Sequence, residues 1–185
     1  MKYLLVPAIA FALAGCSHPA PTLEIFGDVP HFDLTAQSGQ AFDSSVLAGK
    51  IWVADFIYTT CPGPCPRMTS QMHQVQQAVS KLGDIRLVSF TVDPAQDTPK
   101  VLAAYAQVHG ASSATWYFLT GPVPTLQMLD RDAFKLGNID GTLQHSTRFV
   151  LVDRQGRIRG YYDTSDASSI PQVIADVKAL DAQRT

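Results

Sequence analysis

The sequence has little charge, and neither sign dominates. Of its 185 residues only 16% are charged, and 14 Lys and Arg stand against 16 Asp and Glu, for a formal net charge of -2. A nucleic-acid-binding protein normally carries a basic surplus that replaces the counterions of the phosphates, so no nucleic-acid partner is expected. The hydrophobic fraction of 46% argues against intrinsic disorder, which needs low hydrophobicity or a large net charge.

Long apolar runs are also lacking. The apolar run at residues 4–14 is eleven residues long, whereas a helix needs about 20 to cross a bilayer core. Its length is typical of the hydrophobic region of a signal peptide. It ends in Leu13-Ala14-Gly15-Cys16, which resembles the lipobox of bacterial lipoproteins and leaves a core helix ending in Gly-Cys as the alternative. We expect residues 1–15 to be a lipoprotein signal peptide and residues 16–22 a tether that begins at the lipidated Cys16.

A lipid anchor has consequences for where the protein works. It would hold the protein to a membrane on the extracytoplasmic, periplasmic side, in an oxidising compartment where disulfides persist. Residues 23–182 would form the working domain, and they contain no internal repeat and no low-complexity tract.

Strand and helix patterns alternate along this domain. The predicted strands are residues 51–58, 85–92, 115–119, 147–153 and 157–162. The predicted helices are residues 66–82, closed by Gly83, residues 99–108, with Thr98 as N-cap, and residues 125–136 and 169–181. This order predicts an α/β, thioredoxin-like, three-layer fold with a central mixed sheet flanked by helices.

Cysteine is scarce, and two of the three cysteines are close together. Cys61 and Cys65 flank Pro62-Gly63-Pro64, between the first predicted strand and the first long helix. One helical turn separates them, which suits two sulfurs on one soft metal ion and also approaches the geometry of a disulfide. Three interpretations stay open at this point: a structural disulfide, a redox dithiol and a metal site. A disulfide across so short a loop gains little stability, and a redox pair is usually spaced C-x-x-C.

A metal site would need a further ligand, and five histidines are available. His145 stands out because it lies in the loop before the strand at residue 147, which a thioredoxin-like sheet places beside the start of the cysteine helix. His18 and His31 lie far from the expected site, His73 is expected on the surface, and His109 at a helix end. Two thiolates and an imidazole favour Cu(I), then Cu(II) or Zn(II). Met68 is expected in the core.

Three blocks of sequence together resemble the SCO/SenC family of thioredoxin-like copper chaperones. They are the segment from Phe56 to Pro66 around the two cysteines, Asp93-Pro-Ala-Gln-Asp97-Thr-Pro99, and His145-Ser146 followed by Leu151-Val-Asp153. The resemblance implies copper ligands at Cys61, Cys65 and His145, with Asp93 as a partner that orients the histidine. Asp97 is expected to belong to the helix start and not to the site.

The resemblance also implies a function. Members of this family help assemble the copper centre of cytochrome c oxidase, so the expected cofactor is copper, as Cu(I) or Cu(II). The expected partner is the copper-bearing oxidase subunit or another copper chaperone. Oxidation to a Cys61–Cys65 disulfide would release the metal. A rival interpretation is an enzyme, an extracytoplasmic thiol–disulfide oxidoreductase, and a third is a thiol peroxidase. Gln96 and Gln144 depart from the family, which commonly has Arg and an acid there.

Overall fold

A computed structural model describes residues 23–183. The expected signal peptide, Cys16 and the tether at residues 16–22 lie outside the described residues. Among residues 23–183 no helix is both long and apolar enough to cross a membrane.

The fold is built on one mixed sheet. Its strands are β1 (Gly27–Asp28), β2 (Asp33–Ala36), β3 (Ala41–Asp43), β4 (Ile51–Ile57), β5 (Ile85–Thr91), β6 (Trp116–Thr120), β7 (Arg148–Val152) and β8 (Arg157–Asp163). They lie in the order β1-β8-β7-β4-β5-β6-β2-β3. Strands β4, β5 and β6 are parallel, and the other pairs are antiparallel. The predicted central mixed sheet is therefore confirmed.

Helices cover one face of this sheet, and helical and loop segments cover the other. The α-helices are α1 (Cys65–Val79), α2 (Pro99–Val108), α3 (Val123–Gln127) and α4 (Ser169–Ala182). Side chains of α1, α2 and α4 form one buried cluster with Val53 and Ile57 of β4. The segment from α3 to Phe134 packs on the opposite face, where Phe56 lies. Because both faces of β4 are buried, its sequence is apolar almost without interruption.

The predicted boundaries of α2 are confirmed, whereas the predicted end of α1 is wrong. Helix α2 begins at Pro99, and the Thr98 hydroxyl accepts a hydrogen bond from the Val101 amide as its N-cap. Helix α1 ends at Val79, so the prediction that it reaches residue 82 and is closed by Gly83 is wrong. Ser80 is the C-cap, and its amide donates to the Gln77 carbonyl, which tightens the last turn before Gly83 is reached.

The single helix predicted at residues 125–136 is two segments. The α-helical part α3 ends at Gln127 and continues as a π-helical turn, Met128–Ala133. The Phe134 amide donates to the Leu129 carbonyl, five residues back, at 2.8 Å. Lys135 then takes a positive φ of 53° and ends the segment. The wider turn explains why the apolar periodicity of this stretch fits 3.6 residues poorly.

Sheet topology gathers three loops at one edge. The chain leaves β4 and β5 at their carboxyl ends, which are adjacent because these strands are parallel. Strand β7 is antiparallel to β4, pairing Trp52 with Val152, so the loop that enters β7 reaches the same edge. The cysteine loop, the loop after β5 and the loop that carries His145 therefore meet there, as predicted.

Candidate metal centre

The two cysteines occupy different places in their loop. Cys61 closes a turn in which its amide donates to the Tyr58 carbonyl at 3.3 Å. Cys65 is the first residue of α1, and Pro66 follows at a position where its missing amide hydrogen costs no helical bond. Both side chains are free thiols. Cys61 is 8% exposed and Cys65 is fully buried.

The His145 loop brings an imidazole onto this pair. His145 Nε2 lies 3.0 Å from the Cys65 Sγ. The two sulfurs and the ring nitrogen all lie within 4.8 Å of one another. The ring stands edge-to-face against Tyr58, with centroids 5.7 Å apart and planes at 89°. Residues separated by 80 positions therefore form one compact donor set.

The other ring nitrogen fixes the tautomer. His145 Nδ1 lies 2.9 Å from the Ser146 carbonyl oxygen, and a carbonyl can only accept, so Nδ1 carries the proton. The Nε2 lone pair then points toward the sulfurs. Burial lowers the pKa of His145, and the bond to Ser146 opposes this only in part. The imidazole is therefore neutral near pH 7, which is the form that binds a metal.

The two thiols have opposite pKa shifts. Burial raises the pKa of Cys61, but hydrogen bonds from the Cys65 thiol, from the Cys65 and Gly63 amides and from the Tyr58 hydroxyl outweigh it, so the net pKa is lowered. Burial also raises the pKa of Cys65, and there the Tyr58 amide compensates only in part, so the net pKa is raised. Cys61 is thus the more readily ionised sulfur and Cys65 the protected one.

Tyr58 is a site residue that sequence reasoning missed. It was expected only as the last residue of a buried strand, whereas its hydroxyl and amide reach the two thiols and its ring meets His145. Its hydrogen bond to Cys61 raises the pKa of Tyr58. The available signal was its position three residues before Cys61, at a strand end where a side chain can turn into the site.

Asp93 lies on the loop after β5, as expected. The residue that it is predicted to orient, His145, instead bonds to the Ser146 carbonyl. Among residues 23–183 no hydrogen bond joins the Asp93 carboxylate to His145, and the Ser146 carbonyl accepts from the ring. The negative charge of Asp93 still contributes to the raised pKa of Tyr58, which places it near the site. Its orienting role stays a prediction.

The contacts of Asp97 differ from the expectation that it belongs only to the start of α2. It was assigned to the start of α2, yet Thr98 is the N-cap. The Asp97 carboxylate accepts hydrogen bonds from Thr59, which follows β4, and from Thr91, the last residue of β5, both beside the site.

The remaining candidates lie elsewhere. Met68 is fully buried in the core, as predicted. His31 forms an exposed group with Asp33 and Asp43. His73 is half-buried on α1 and lies within hydrogen-bond distance of the buried Gln76 and the exposed Gln77, away from the cysteines. His109 is the C-cap of α2, as expected, but burial lowers its pKa, so it does not act there as a cation at neutral pH.

The donor set fits a soft or borderline metal ion. Ligand bonds to thiolate and imidazole of about 2.0–2.3 Å place such donors roughly 3.5–4 Å apart around one ion. The observed spread, within 4.8 Å, needs only small side-chain movements to reach that arrangement. Two sulfurs with one nitrogen favour Cu(I) over the harder ions that carboxylates bind.

Comparison with known proteins agrees with this geometry. A sequence profile described as SCO1/SenC matches residues 26–181, which is most of the chain. The chain belongs to the SCO1/SenC family.

Solved SCO1/SenC structures share its fold. A SCO1/SenC family lipoprotein from Bacillus anthracis is 33% identical, with a TM-score of 0.76 over 83% of this chain and 95% of that one. BsSco, described with a disulfide switch as a member of the Sco family of cytochrome c oxidase assembly proteins, is 30% identical, with a TM-score of 0.77 over 88% and 98%. Bradyrhizobium japonicum ScoI, solved with copper bound, is 25% identical, with a TM-score of 0.67 over 82% and 98%. These SCO1/SenC structures confirm the predicted thioredoxin-like α/β fold.

Proposed function

We propose that this chain is a copper-binding chaperone that takes part in the assembly of cytochrome c oxidase. In this proposal Cys61, Cys65 and His145 hold one copper ion, as Cu(I) or Cu(II). The observation that carries it is the approach of two sulfurs and a neutral imidazole nitrogen within 4.8 Å of one another. Family membership supports it, since a relative has been solved with copper bound and another is described as an oxidase assembly protein.

Copper here is cargo and must be both held and released. Cys65 is rigid because it begins α1 in the core, whereas His145 lies in a loop that also contains a strained positive φ of 59° at Leu143. We propose that the imidazole leaves the ion first and opens a coordination position for a ligand of the recipient. The recipient is the copper-bearing subunit of the oxidase or another copper chaperone.

A competition titration tests the ligand set. The purified, reduced full chain is titrated with Cu(I) against a chelator of known affinity. We expect one tightly bound ion in wild type and losses of roughly 10-fold or more in Cys61→Ser, Cys65→Ser and His145→Ala, because each removes a bond to the metal. His73→Ala, a matched histidine outside the site, should bind as wild type does. Wild-type affinity in His145→Ala and Cys61→Ser would refute the proposed site.

A second function is favoured by a specific observation, the opposite pKa shifts of the two thiols. An ionisable outer sulfur and a protected inner one suit thiol–disulfide exchange, in which the Cys61 thiolate attacks a partner disulfide and Cys65 resolves the mixed disulfide. Such an oxidoreductase needs both cysteines but not His145. Full disulfide-exchange activity and undiminished oxidase assembly in His145→Ala would favour it over copper delivery.

We also propose that residues 1–15 are a signal peptide, that Cys16 is lipidated, and that residues 16–22 tether the domain at 23–182 to the periplasmic side of a membrane. The sequence Leu13-Ala14-Gly15-Cys16 supports this. Mass spectrometry of the mature N-terminus should show an acylated Cys16 in the membrane fraction, and Cys16→Ser should lose the modification.

A further inference from the structure

Asp97 is a buried carboxylate without a cationic partner. It is fully buried on the loop between β5 and α2. Within residues 23–183 no Lys, Arg or His lies at ion-pair distance from it. A buried carboxylate is tolerated only when hydrogen bonds replace its lost hydration. The groups that supply those bonds therefore show what the side chain holds together.

The groups that donate hydrogen bonds to the Asp97 carboxylate lie where β4 and β5 end, beside the candidate metal centre. The Thr59 amide lies 3.3 and 3.2 Å from the two carboxylate oxygens, and the Thr59 hydroxyl donates at 2.5 Å. The Thr91 hydroxyl donates to the carboxylate at 2.5 Å. Asp97 thus joins the residues that follow β4 to the last residue of β5.

The contact with Thr59 acts on the turn that presents Cys61. That turn runs from Tyr58 to Cys61 and is closed by the Cys61 amide on the Tyr58 carbonyl. Thr59 is its second residue, so its amide points out of the turn and needs an acceptor. Asp97 supplies that acceptor and fixes the orientation of the turn relative to the sheet.

The same residue also holds the loop that carries Asp93. The Asp97 amide donates to the Asp93 carbonyl at 2.9 Å, and the Asp93 amide donates to the Thr91 hydroxyl at 2.9 Å. The Asp97 carboxylate therefore holds the cysteine turn directly and reaches the Asp93 loop through the Thr91 hydroxyl, while the Asp97 backbone amide holds that loop directly. A role limited to starting α2 does not explain this, because Thr98 already caps that helix.

We infer that Asp97 is a positioning residue for Cys61: it fixes the cysteine turn and thereby sets both the copper affinity and the disulfide potential of the Cys61–Cys65 pair. This inference rests on the proposed function for its copper part only. The potential of the pair is a property of the chain without metal, so the two claims can fail separately.

The test uses the isosteric variant Asp97→Asn in the full chain. An amide keeps the size of the side chain but presents a donor where an acceptor is needed, so the bonds to Thr59 cannot all form. The control is Asp176→Asn, which replaces a carboxylate that is also buried and accepts from Tyr162 and Gln172, away from the site. Three quantities are measured: melting temperature, Cu(I) affinity against a chelator, and the dithiol–disulfide equilibrium in glutathione buffers.

We expect Asp97→Asn to weaken Cu(I) binding roughly 10-fold or more, the usual effect of losing a residue that orients a metal ligand. We also expect it to shift the disulfide equilibrium severalfold, while Asp176→Asn lowers only the melting temperature. If Asp97→Asn changes the melting temperature but leaves both site quantities within twofold of wild type, Asp97 is merely structural and the inference is overturned. If wild type binds no copper, the proposed function fails, and the glutathione equilibrium still decides the role of Asp97.

A second pair of variants covers the case in which Asp97→Asn does not fold. Thr59→Val removes the hydroxyl donor and keeps the shape, whereas Thr59→Ser keeps the hydroxyl. The inference predicts a shifted disulfide equilibrium in Thr59→Val and near wild-type values in Thr59→Ser. Equal values in both variants would overturn it.

Discussion

At the residue scale, the two thiols of the site differ because their surroundings differ. Cys61 receives hydrogen bonds from amides and from the Tyr58 hydroxyl, whereas Cys65 is enclosed by α1 and the sheet. Since the thiolate is the reactive form, ionisation and access favour the same sulfur.

Alkylation of the reduced chain near pH 7 should therefore modify Cys61 well before Cys65. Peptide mass spectrometry after a short exposure to iodoacetamide measures this. Tyr58→Phe removes the hydroxyl bond to Cys61 and should slow the reaction by raising the Cys61 pKa. Equal labelling of both cysteines, or faster labelling of Cys65, would contradict the assignment.

Asp55 gives a prediction about stability. It is fully buried in β4, and neither of its carboxyl oxygens has a hydrogen-bond partner within residues 23–183. Burial raises the pKa of Asp55 to about 7 from an ordinary 3.8. The folded state therefore holds a proton that the unfolded state loses above about pH 4.

This difference in bound protons sets the direction in which the free energy of unfolding changes with pH. Between about pH 4 and 7 the folded state binds more protons, so the contribution of Asp55 to the free energy of unfolding falls as pH rises, by roughly 4 kcal/mol in all. Urea unfolding of wild type and Asp55→Asn across this range measures it. The variant should lack this part of the slope, while Asp130, whose pKa burial raises to about 6, remains in both proteins. Identical slopes would show that Asp55 does not titrate as proposed.

At the element scale, the loop from α3 to β7 decides whether His145 reaches the sulfurs. It is held by the Gln127 amide group, which donates to the Ile139 carbonyl at 2.5 Å, and by the buried side chain of Ile139. Gln127→Met removes the bond and keeps most of the apolar volume. We expect severalfold faster copper transfer to a chelator in stopped-flow measurements, with Gln107→Met, on the exposed face of α2, as control. An unchanged rate would mean that this bond does not restrain the loop.

Most of the helices and strands could be predicted from the sequence, and the strands that could not be predicted share one cause. Strands β4 and β5 are long buried runs, and α2 has both a capping threonine and a proline at its first turn, so local signals suffice. Strands β1 to β3 have two to four residues each, which is too short for an alternation of apolar and polar residues to be recognised. Their pairing depends on partners such as β8 and β6, far along the chain.

The candidate site also contains residues that the sequence identifies and a contact that it does not. Residue type and spacing identified Cys61 and Cys65, and the expected strand order brought in His145. The contact between Asp97 and Thr59 joins residues 38 positions apart, through a side chain that the sequence assigns to the start of α2. Nothing in the local pattern distinguishes a helix-start aspartate from one that turns back to another strand.

At the scale of the whole molecule, metal binding and thiol oxidation compete for the same two sulfurs. A two-electron oxidant that joins Cys61 and Cys65 takes both electrons from the thiolates, and the disulfide no longer binds copper. Oxidised protein should retain less than a tenth of the copper of reduced protein after gel filtration, and reductant should restore binding. Copper that stays bound to the fully oxidised chain would place the metal elsewhere.

X-ray absorption spectroscopy of the copper-loaded, reduced full chain tests the central claim most directly, because it reads the ligands from the metal. The account predicts a shell of two sulfurs and one imidazole nitrogen, and His145→Ala should lose the nitrogen scattering while it keeps both sulfurs. A shell without sulfur, or an imidazole signal that survives in His145→Ala, would contradict it.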